Sequence, residues 1–267
     1  MNYTVVNVGD FDLFSMTIKA LAKLVPAAKF VINGNGYSIF SKNAFARIET
    51  YSSVLHTTND STVEFCINDL AKFNKVLASI KREFGDETIK INLKVTDKHI
   101  SIESSKIKVK FITVREETIE NYIVQTAVST VLTPVFKFYT TSELIRNMNS
   151  NSFMFSDLDN IRIYLQGPQA DMDNNVLYGK MASVNGNFSN EIISKLGYIT
   201  FGKLADRQII IDSERLSAFN LIDSDNIEIS LMDKPFLVSK ITKESESDVN
   251  KLKHSVNITV YLSIRKS

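Results

Sequence analysis

The sequence is poor in the residues that cross-link a chain or interrupt its regular structure. Its 267 residues include one cysteine, four prolines, nine glycines and no tryptophan. With Cys66 as its only cysteine, the chain can form no internal disulfide and no cysteine-based zinc site. So few prolines and glycines exclude a collagen-like or proline-rich chain. Charged residues make up 23% and hydrophobic residues 44%, which argues for a folded protein and against a largely disordered one.

The chain also lacks long apolar runs and a strong charge of either sign. The longest stretch without charge, 121–136, is too short for a bilayer span and contains polar residues. The first residues show no basic segment followed by an apolar one, so we expect a soluble, cytoplasmic protein without a signal peptide. The net charge of +1 excludes a simple polycation for DNA. Any contact with nucleic acid must therefore depend on where the charges lie.

Alternation of apolar and polar residues predicts an antiparallel sheet with one buried face over most of the chain. The clearest alternating segments are 87–95, 99–103 and 106–114. The segment Asn33–Gly36 separates two apolar runs and has the composition of a hairpin turn. The length allows one large domain or two ordinary ones.

Apolar residues at helical spacing predict a few short helices between these strands. The strongest are Phe14–Val25 and Asp69–Phe84, the second with Asn68 as N-cap and Gly85 just past its end. Two weaker candidates are Thr141–Asn149 and Ser213–Ile222.

The order of these elements is similar in the two halves of the chain. Each half runs from a helix through strands to a second helix and further strands, although few residues are identical between them. The pattern predicts an α+β protein with two copies of one helix–sheet–helix–sheet unit, mostly antiparallel sheet with short helices on one face. The predicted division is a first domain at 1–118, a connector at 119–133 and a second domain at 134–267.

Tests for catalytic and metal sites are negative. Residues 197–204 nearly fit the phosphate-binding loop, but Leu204 replaces the hydroxyl that binds Mg²⁺, and strand-forming residues fill the interior. This segment is better interpreted as a strand that ends in a turn. Asp171–Asn175 resembles the start of a calcium loop but lacks the glycine and the final glutamate. We therefore expect no enzyme, cofactor or metal, and the histidines are scattered at His56, His99 and His254.

Basic residues recur on the predicted helices of the first half, on the side away from the apolar residues. A solvated helix face is the ordinary interpretation of such a pattern. The functional alternative is a surface that contacts DNA phosphates without reading sequence. The second-half helices offer fewer basic residues, and neighbouring glutamates partly offset them. The candidate DNA-binding residues are Lys19, Lys23, Lys72, Lys75, Lys81, Arg82, Arg146 and Arg215.

These segments together resemble the DNA sliding clamps. The resemblance covers nearly the whole chain and is closest to the tailed-bacteriophage type, with proliferating cell nuclear antigen more distant. It consists of patterns, and no single motif is diagnostic. The matching segments are Phe14–Val25 followed by Lys29–Phe40, then Thr62–Leu77, Ile100–Ile112, Ile209–Phe219 and Val256–Ile264.

The resemblance implies a homotrimeric ring of six domains with the helices lining the hole. Such a ring encircles duplex DNA, contacts its phosphates without sequence preference and tethers a DNA polymerase as a processivity factor. The implied partners are duplex DNA, a DNA polymerase, a clamp loader and two further copies of the chain, with no membrane and no cofactor.

The resemblance also implies two kinds of protein contact. Subunits would join by strand addition between 106–113 of one chain and 176–184 of the next, through Lys106, Lys108, Lys110, Val176, Tyr178 and Lys180. Partner peptides would dock in an apolar pocket near the connector, formed by Tyr122, Ile123, Val131 and Leu132. Ordinary packing of the connector on the sheet is an equal alternative for these four residues.

Three other functions are compatible with the sequence. An open accessory factor, monomeric or dimeric, would share the fold and the basic face without closing a ring. A β-rich viral structural or assembly protein would have no role at DNA. An enzyme would depend on the defective phosphate loop and on Lys203.

Overall fold

The computed structural model describes residues 3–57, 61–85, 92–96, 98–103, 106–123, 132–152, 161–166, 175–183, 191–202, 209–234, 236–246 and 253–264. The chain divides into two compact units. The first comprises 1–127 with 243–258, and the second comprises 128–242 with 259–267. The sequence-based division did not anticipate that 243–258 belongs to the first unit. This segment belongs there because it pairs with an early strand, and Ser53 donates its N–H to the Ser255 carbonyl at 3.3 Å.

Unit 1 contains two helices and most of the short strands. Their bounds are β1 Thr4–Val8, α1 Phe11–Leu21, β2 Ala28–Asn33, β3 Gly36–Lys42, β4 Ala46–Ser52, β5 Leu55–Thr57, β6 Val63–Ile67, α2 Leu70–Phe84, β7 Asn92–Val95, β8 His99–Glu103 and β9 Lys108–Ile112. A 3-10 turn follows at Glu116–Ile119. One antiparallel sheet has the order β5-β1-β7-β8-β9, and in another part of the unit the strands β4-β3-β2-β6 lie side by side.

Unit 2 repeats the beginning of unit 1, a strand followed by a helix and further strands. Its elements are β10 Pro134–Thr140, α3 Ser142–Ser152, β11 Ile161–Gln166, β12 Val176–Ser183, β13 Glu191–Phe201, β14 Ile209–Asp212, α4 Ser213–Leu216, β15 Ile227–Met232 and the first part of β16 Phe236–Glu246. The end of β16 and the first part of β17 Lys253–Ser263 belong to unit 1. The strands of this unit have the order β14-β11-β12-β13-β10-β15-β16. The α+β class and the repeated arrangement predicted from the sequence are confirmed.

Aromatic rings connect the helices of unit 1 to both of its sheets. Phe73 of α2 packs edge-on against Phe14 of α1, with ring centroids 6.4 Å apart, and against Phe111 of β9 at 5.1 Å. Phe30 of β2 packs edge-on against the same Phe73 ring at 6.5 Å and stacks on Phe65 of β6 at 4.8 Å. All are almost completely buried, and burial of each such ring stabilises the fold by roughly 1.5–3 kcal/mol. The helices are therefore fixed on the sheets by their apolar faces.

Two helix starts differ from the prediction because acidic side chains cap them. Asp10 accepts the Leu13 N–H at 2.8 Å, so α1 begins at Phe11 and not at Phe14. Asp69, and not Asn68, caps α2 by accepting the Lys72 N–H at 2.7 Å. Gly85 ends α2 with a φ of +58°, as predicted.

The helix ends and the weaker helices also differ from the prediction. The first helix ends at Leu21, four residues earlier than predicted, because the turn tightens there and Lys23 bonds back to Ala20. The predicted helix Ser213–Ile222 is α4 followed by a 3-10 turn at Ser217–Phe219. Thr141–Asn149 corresponds to α3, shifted by one residue at its start and extended by three at its end. None of the helices in the described part of the chain is long and apolar enough to cross a membrane.

The cap of α2 provides a direct test of this local structure. We expect Asp69→Ala to lower the free energy of unfolding by about 1 kcal/mol, because the first turn of the helix loses its side-chain acceptor. Urea unfolding followed by circular dichroism measures this change. Asp69→Asn is the matched control, since asparagine also caps helices. Equal losses in both variants would contradict the capping role.

Candidate nucleic-acid interface and protein contact surfaces

The exposed side of α2 carries a stripe of basic side chains. Lys72, Lys75 and Arg82 lie at positions that recur on one side of the helix, and all three are exposed. The opposite side is apolar and buried, through Leu70, Phe73, Leu77, Ile80 and Phe84. Because the apolar side is fixed against the core, the basic stripe must face solvent.

The neighbouring helix α1 adds further basic groups to the same helix pair. Lys19 is exposed on the last turn of α1, and Lys23 is exposed just beyond its end. Lys81 of α2 is also exposed but is not isolated, because its Nζ lies 2.6 Å from the Asp12 Oδ1 of α1. This ion pair partly neutralises a residue predicted to contact DNA. Since both partners are largely exposed, the pair contributes little to stability.

The two candidate residues of unit 2 also have partners within the protein. Arg146 on α3 lies 2.9 Å from Asp223. Arg215 on α4 donates to the Ser263 carbonyl at 2.9 Å. The exposed side of α3 otherwise presents Glu143 and asparagines. The helices of unit 1 are thus more basic than those of unit 2, as the sequence predicted.

Among the described strands, β9 forms one end of its sheet and has a neighbouring strand on one side only. The N–H of Thr113 donates to the carbonyl of Lys98, so it points toward β8. Donors alternate along an antiparallel strand, so the N–H groups of Lys110 and Ile112 point away from β8. The side chain of Ile112 is 74% exposed, although it is a large apolar residue at a sheet edge. Such an edge can pair with another chain.

Lysines lie along the β9 edge, and one of them, Lys108, forms an ion pair with Glu103. Glu103 lies 2.8 Å from Lys108 and 2.5 Å from Lys94. The hydrogen bonds from these two ammonium groups lower the pKa of Glu103 to about 2, so its carboxylate stays charged at neutral pH. Lys106 is exposed just before β9, and its ammonium lies 5.0 Å from the centre of the Phe84 ring.

The predicted partner edge of unit 2 is wrong. Strand β12, which carries Val176, Tyr178 and Lys180, is hydrogen-bonded to β11 on one side and to β13 on the other. A strand paired on both sides has no free backbone groups for an incoming strand. The sequence pattern revealed the strand but not its place in the sheet.

The first half of β13 has an open edge instead. Residues 191–198 pair with β12, whereas β10 on the other side pairs only with 198–201. Among the described strands, 191–197 therefore have a neighbour on one side only. Ile193 in this segment is 45% exposed. Like Ile112 on β9, it is a large apolar residue exposed on a strand with one described neighbour.

The predicted peptide pocket is only partly compatible with the structure. Ile123 is 1% exposed and belongs to a small core with Ala27, Cys66 and Ile119, so its assignment to a pocket wall is wrong. Packing of the connector explains this residue. Tyr122 is 43% exposed, and its carbonyl accepts the Lys42 N–H at 2.7 Å. Leu132 is partly exposed, and Val131 lies outside the described residues.

The thiol of Cys66 has no sign of reactivity. It is buried in the same small core, and burial raises its pKa to about 11. A thiol with a raised pKa is a poor nucleophile at neutral pH.

The glycines of the near phosphate-loop match have structural roles. A Cβ at Gly197 would lie 2.2 Å from the Tyr139 carbonyl oxygen, so glycine allows β13 to approach β10 closely. Gly202 follows the strand with a φ of +79°, which favours glycine in a turn. This confirms the prediction of a strand that ends in a turn. The described residues contain no group of three or more side chains suited to a metal, and 171–174 and Lys203 lie outside them.

Comparison with known proteins gives structural relatives only. No family model and no curated protein sequence matches the chain. Among solved structures, proliferating cell nuclear antigen of Entamoeba histolytica matches with a TM-score of 0.71 and 14% identity, covering 99% of this chain and 100% of the other. Proliferating cell nuclear antigen of Thermococcus kodakaraensis matches with a TM-score of 0.69 and 13% identity, covering 98% of this chain and 100% of the other.

A third structure contains a bound partner. It is the proliferating cell nuclear antigen of A. fulgidus bound to the C-terminal region of FEN-1, with a TM-score of 0.68, 12% identity and coverage of 100% and 99%. Identities this low establish the fold and not the activity. The chain has the fold of these sliding clamps over its whole length.

Proposed function

We propose that this protein is a DNA sliding clamp that encircles duplex DNA and tethers a replicative DNA polymerase. The observation that carries this proposal is the exposed basic stripe on α2, on a chain that shares the fold of proliferating cell nuclear antigen end to end. Lysine and arginine without base-reading geometry suit non-specific phosphate contacts, which permit sliding. The mechanism requires no catalytic residue, and we place the protein in the cytoplasm with no membrane partner.

The ring would close by pairing β9 with the open segment 191–197 of β13 in the next copy. This arrangement replaces the partner strand predicted from the sequence. Pairing would satisfy the outward N–H groups of β9 and cover Ile112 and Ile193, which otherwise expose apolar surface. Three copies, as the resemblance implies, make the proposed ring.

A clamp loader and a polymerase are the proposed partners, with the exposed Tyr122 of unit 1 and the partly exposed Leu132 of unit 2 as separate candidate contacts. The A. fulgidus protein binds a C-terminal region of another protein, which supports peptide docking as the mode of contact. Resemblance to the tailed-bacteriophage type stays a prediction.

The test of the ring is the absolute mass in solution across a dilution series. We expect a species near 90 kDa, three times the 30.1 kDa chain. A monomer at every concentration would favour the open accessory factor, which shares the basic helices. A protein that neither assembles nor binds DNA would favour the structural alternative.

A further inference from the structure

The sheet of unit 2 has an exposed aromatic face on the side away from its buried core. Tyr139 of β10 lies directly opposite Tyr198 of β13, and Phe201 lies opposite Lys137. The three rings are 41%, 49% and 53% exposed, in that order. Opposite side chains on one face lie roughly 4.5–5.5 Å apart at Cβ, so the rings form one patch. We call Tyr139, Tyr198 and Phe201 the aromatic face.

Lysines border the aromatic face. The Lys195 ammonium lies 4.0 Å from the centre of the Tyr198 ring and donates a hydrogen bond to its hydroxyl. Lys137 lies two residues before Tyr139 on β10 and opposite Phe201, and Lys240 on β16 lies opposite Glu228 on β15. Lys180 is on β12, opposite Ile193. Basic groups therefore lie beside the rings on several strands.

The carboxylate of Glu228 lies among these lysines and interacts with two neighbouring side chains. Glu228 accepts a hydrogen bond from the Tyr139 hydroxyl at 3.1 Å and lies 3.6 Å from the Lys137 ammonium. The hydrogen bond fixes the Tyr139 hydroxyl, while the side chain stays 41% exposed. Among the side chains described on this face of β10, β12, β13, β15 and β16, the lysines Lys137, Lys180, Lys195 and Lys240 outnumber the acids Glu228 and Glu244. The face thus carries a positive balance.

We infer that the aromatic face, with its lysines, binds single-stranded DNA. Bases stack on exposed aromatic rings, and lysines track the phosphates, which gives affinity without sequence preference. In duplex DNA the base faces are stacked on each other, so only its phosphates could interact with this face, through the lysines. A protein partner fits less well, because the centres of protein interfaces are depleted in lysine. The inference is independent of ring closure and of the basic helices, so it can fail while the proposed clamp function holds.

A single tryptophan tests stacking directly. The chain has no tryptophan, so Tyr198→Trp places a unique fluorophore within the aromatic face of the full-length protein. We expect its emission to be quenched by oligothymidylate but not by an abasic oligonucleotide of equal length, which offers the same phosphates. Equal quenching by both, or by neither, would overturn the inference. If neither oligonucleotide quenches the fluorescence, docking of a protein becomes the remaining function of the aromatic face.

Affinity provides the second test. We expect Tyr198→Ala with Phe201→Ala to weaken oligothymidylate binding at least about tenfold, measured by fluorescence anisotropy. Tyr51→Ala is the matched control, since Tyr51 is 42% exposed in unit 1 and lies outside the aromatic face. Adding Lys72→Glu and Lys75→Glu to the Tyr198→Trp variant should leave the quenching of its fluorescence by oligothymidylate unchanged. Unchanged affinity in the double alanine variant, with its unfolding curve also unchanged, would overturn the inference.

Discussion

Reversing two charges on α2 is expected to remove most of the affinity for duplex DNA. Lys72→Glu with Lys75→Glu would replace two of the proposed phosphate contacts in each copy of the chain with two repulsions. We expect the Kd to rise at least about tenfold and the slope of log K against log salt to fall by about 2 or more. Both side chains are exposed and lie opposite the buried face of α2, so folding should be unaffected. Anisotropy titrations over a range of salt concentrations measure both quantities.

The matched control for this variant is Lys234→Glu with Lys253→Glu. These two lysines are exposed and lie outside the helices, and the substitution changes the net charge by the same amount. If both variants lose affinity equally, net charge and not the basic stripe governs binding. If neither loses affinity, the helices do not contact DNA, and the β-rich structural alternative gains support.

The second large effect is expected from one residue of β9. Lys110→Pro should convert the assembly into monomers, because it removes an N–H that points away from β8 toward an added strand. The hydrogen bonds between β9 and β8 do not use this donor. The N–H of Thr113 points toward β8, and every second N–H before it does the same, which excludes that of Lys110. Proline is tolerated on edge strands for the same reason. Sedimentation equilibrium or mass photometry gives the oligomeric state.

Lys110→Ala separates backbone from side-chain effects in this experiment. It removes the same ammonium group as the proline variant but keeps the N–H, so we expect it to remain assembled. A proline variant that assembles normally would show that β9 is not the joining edge. Monomers in both variants would mean that the lysine side chain, and not strand pairing, holds the subunits together.

Local signals were the most predictable part of the fold. The apolar stripe of α2 and Gly85 at its end are consecutive in sequence, and the helix has almost the predicted bounds. The start of α1 was missed although Phe11 extends the apolar spacing by one turn, because Asp10 was not recognised as the cap. The basic stripe follows from the same spacing, so its residues could be identified without a structure.

Non-local pairing was the least predictable part. Strand β1 pairs with β7, so Thr4 lies opposite Val95, and nothing near Thr4 in the sequence indicates this partner. The same limit explains the error at β12, since alternation reveals a strand but not whether both its edges are paired. The open edge of β13 depends on where β10 stops pairing.

Some residues of the proposed contact surfaces were missed although the sequence contained a signal for them. Phe111 and Ile112 are adjacent apolar residues in a strand that otherwise alternates, so one of them had to face solvent. Tyr139 and Tyr198 likewise occupy solvent-facing positions beside buried ones. Large apolar residues on the wet face of a predicted strand were therefore the available indication of both the edge and the aromatic face.

The central claim is that the protein encircles DNA, and retention at high salt on linear duplex with blocked ends tests it most directly. The protein is incubated with open linear duplex, protein blocks are attached to both ends, and salt is raised to about 1 M to suppress phosphate contacts. We expect the protein to stay on the blocked DNA and to be released when a nuclease opens one end. Release at high salt from the blocked DNA would contradict encirclement.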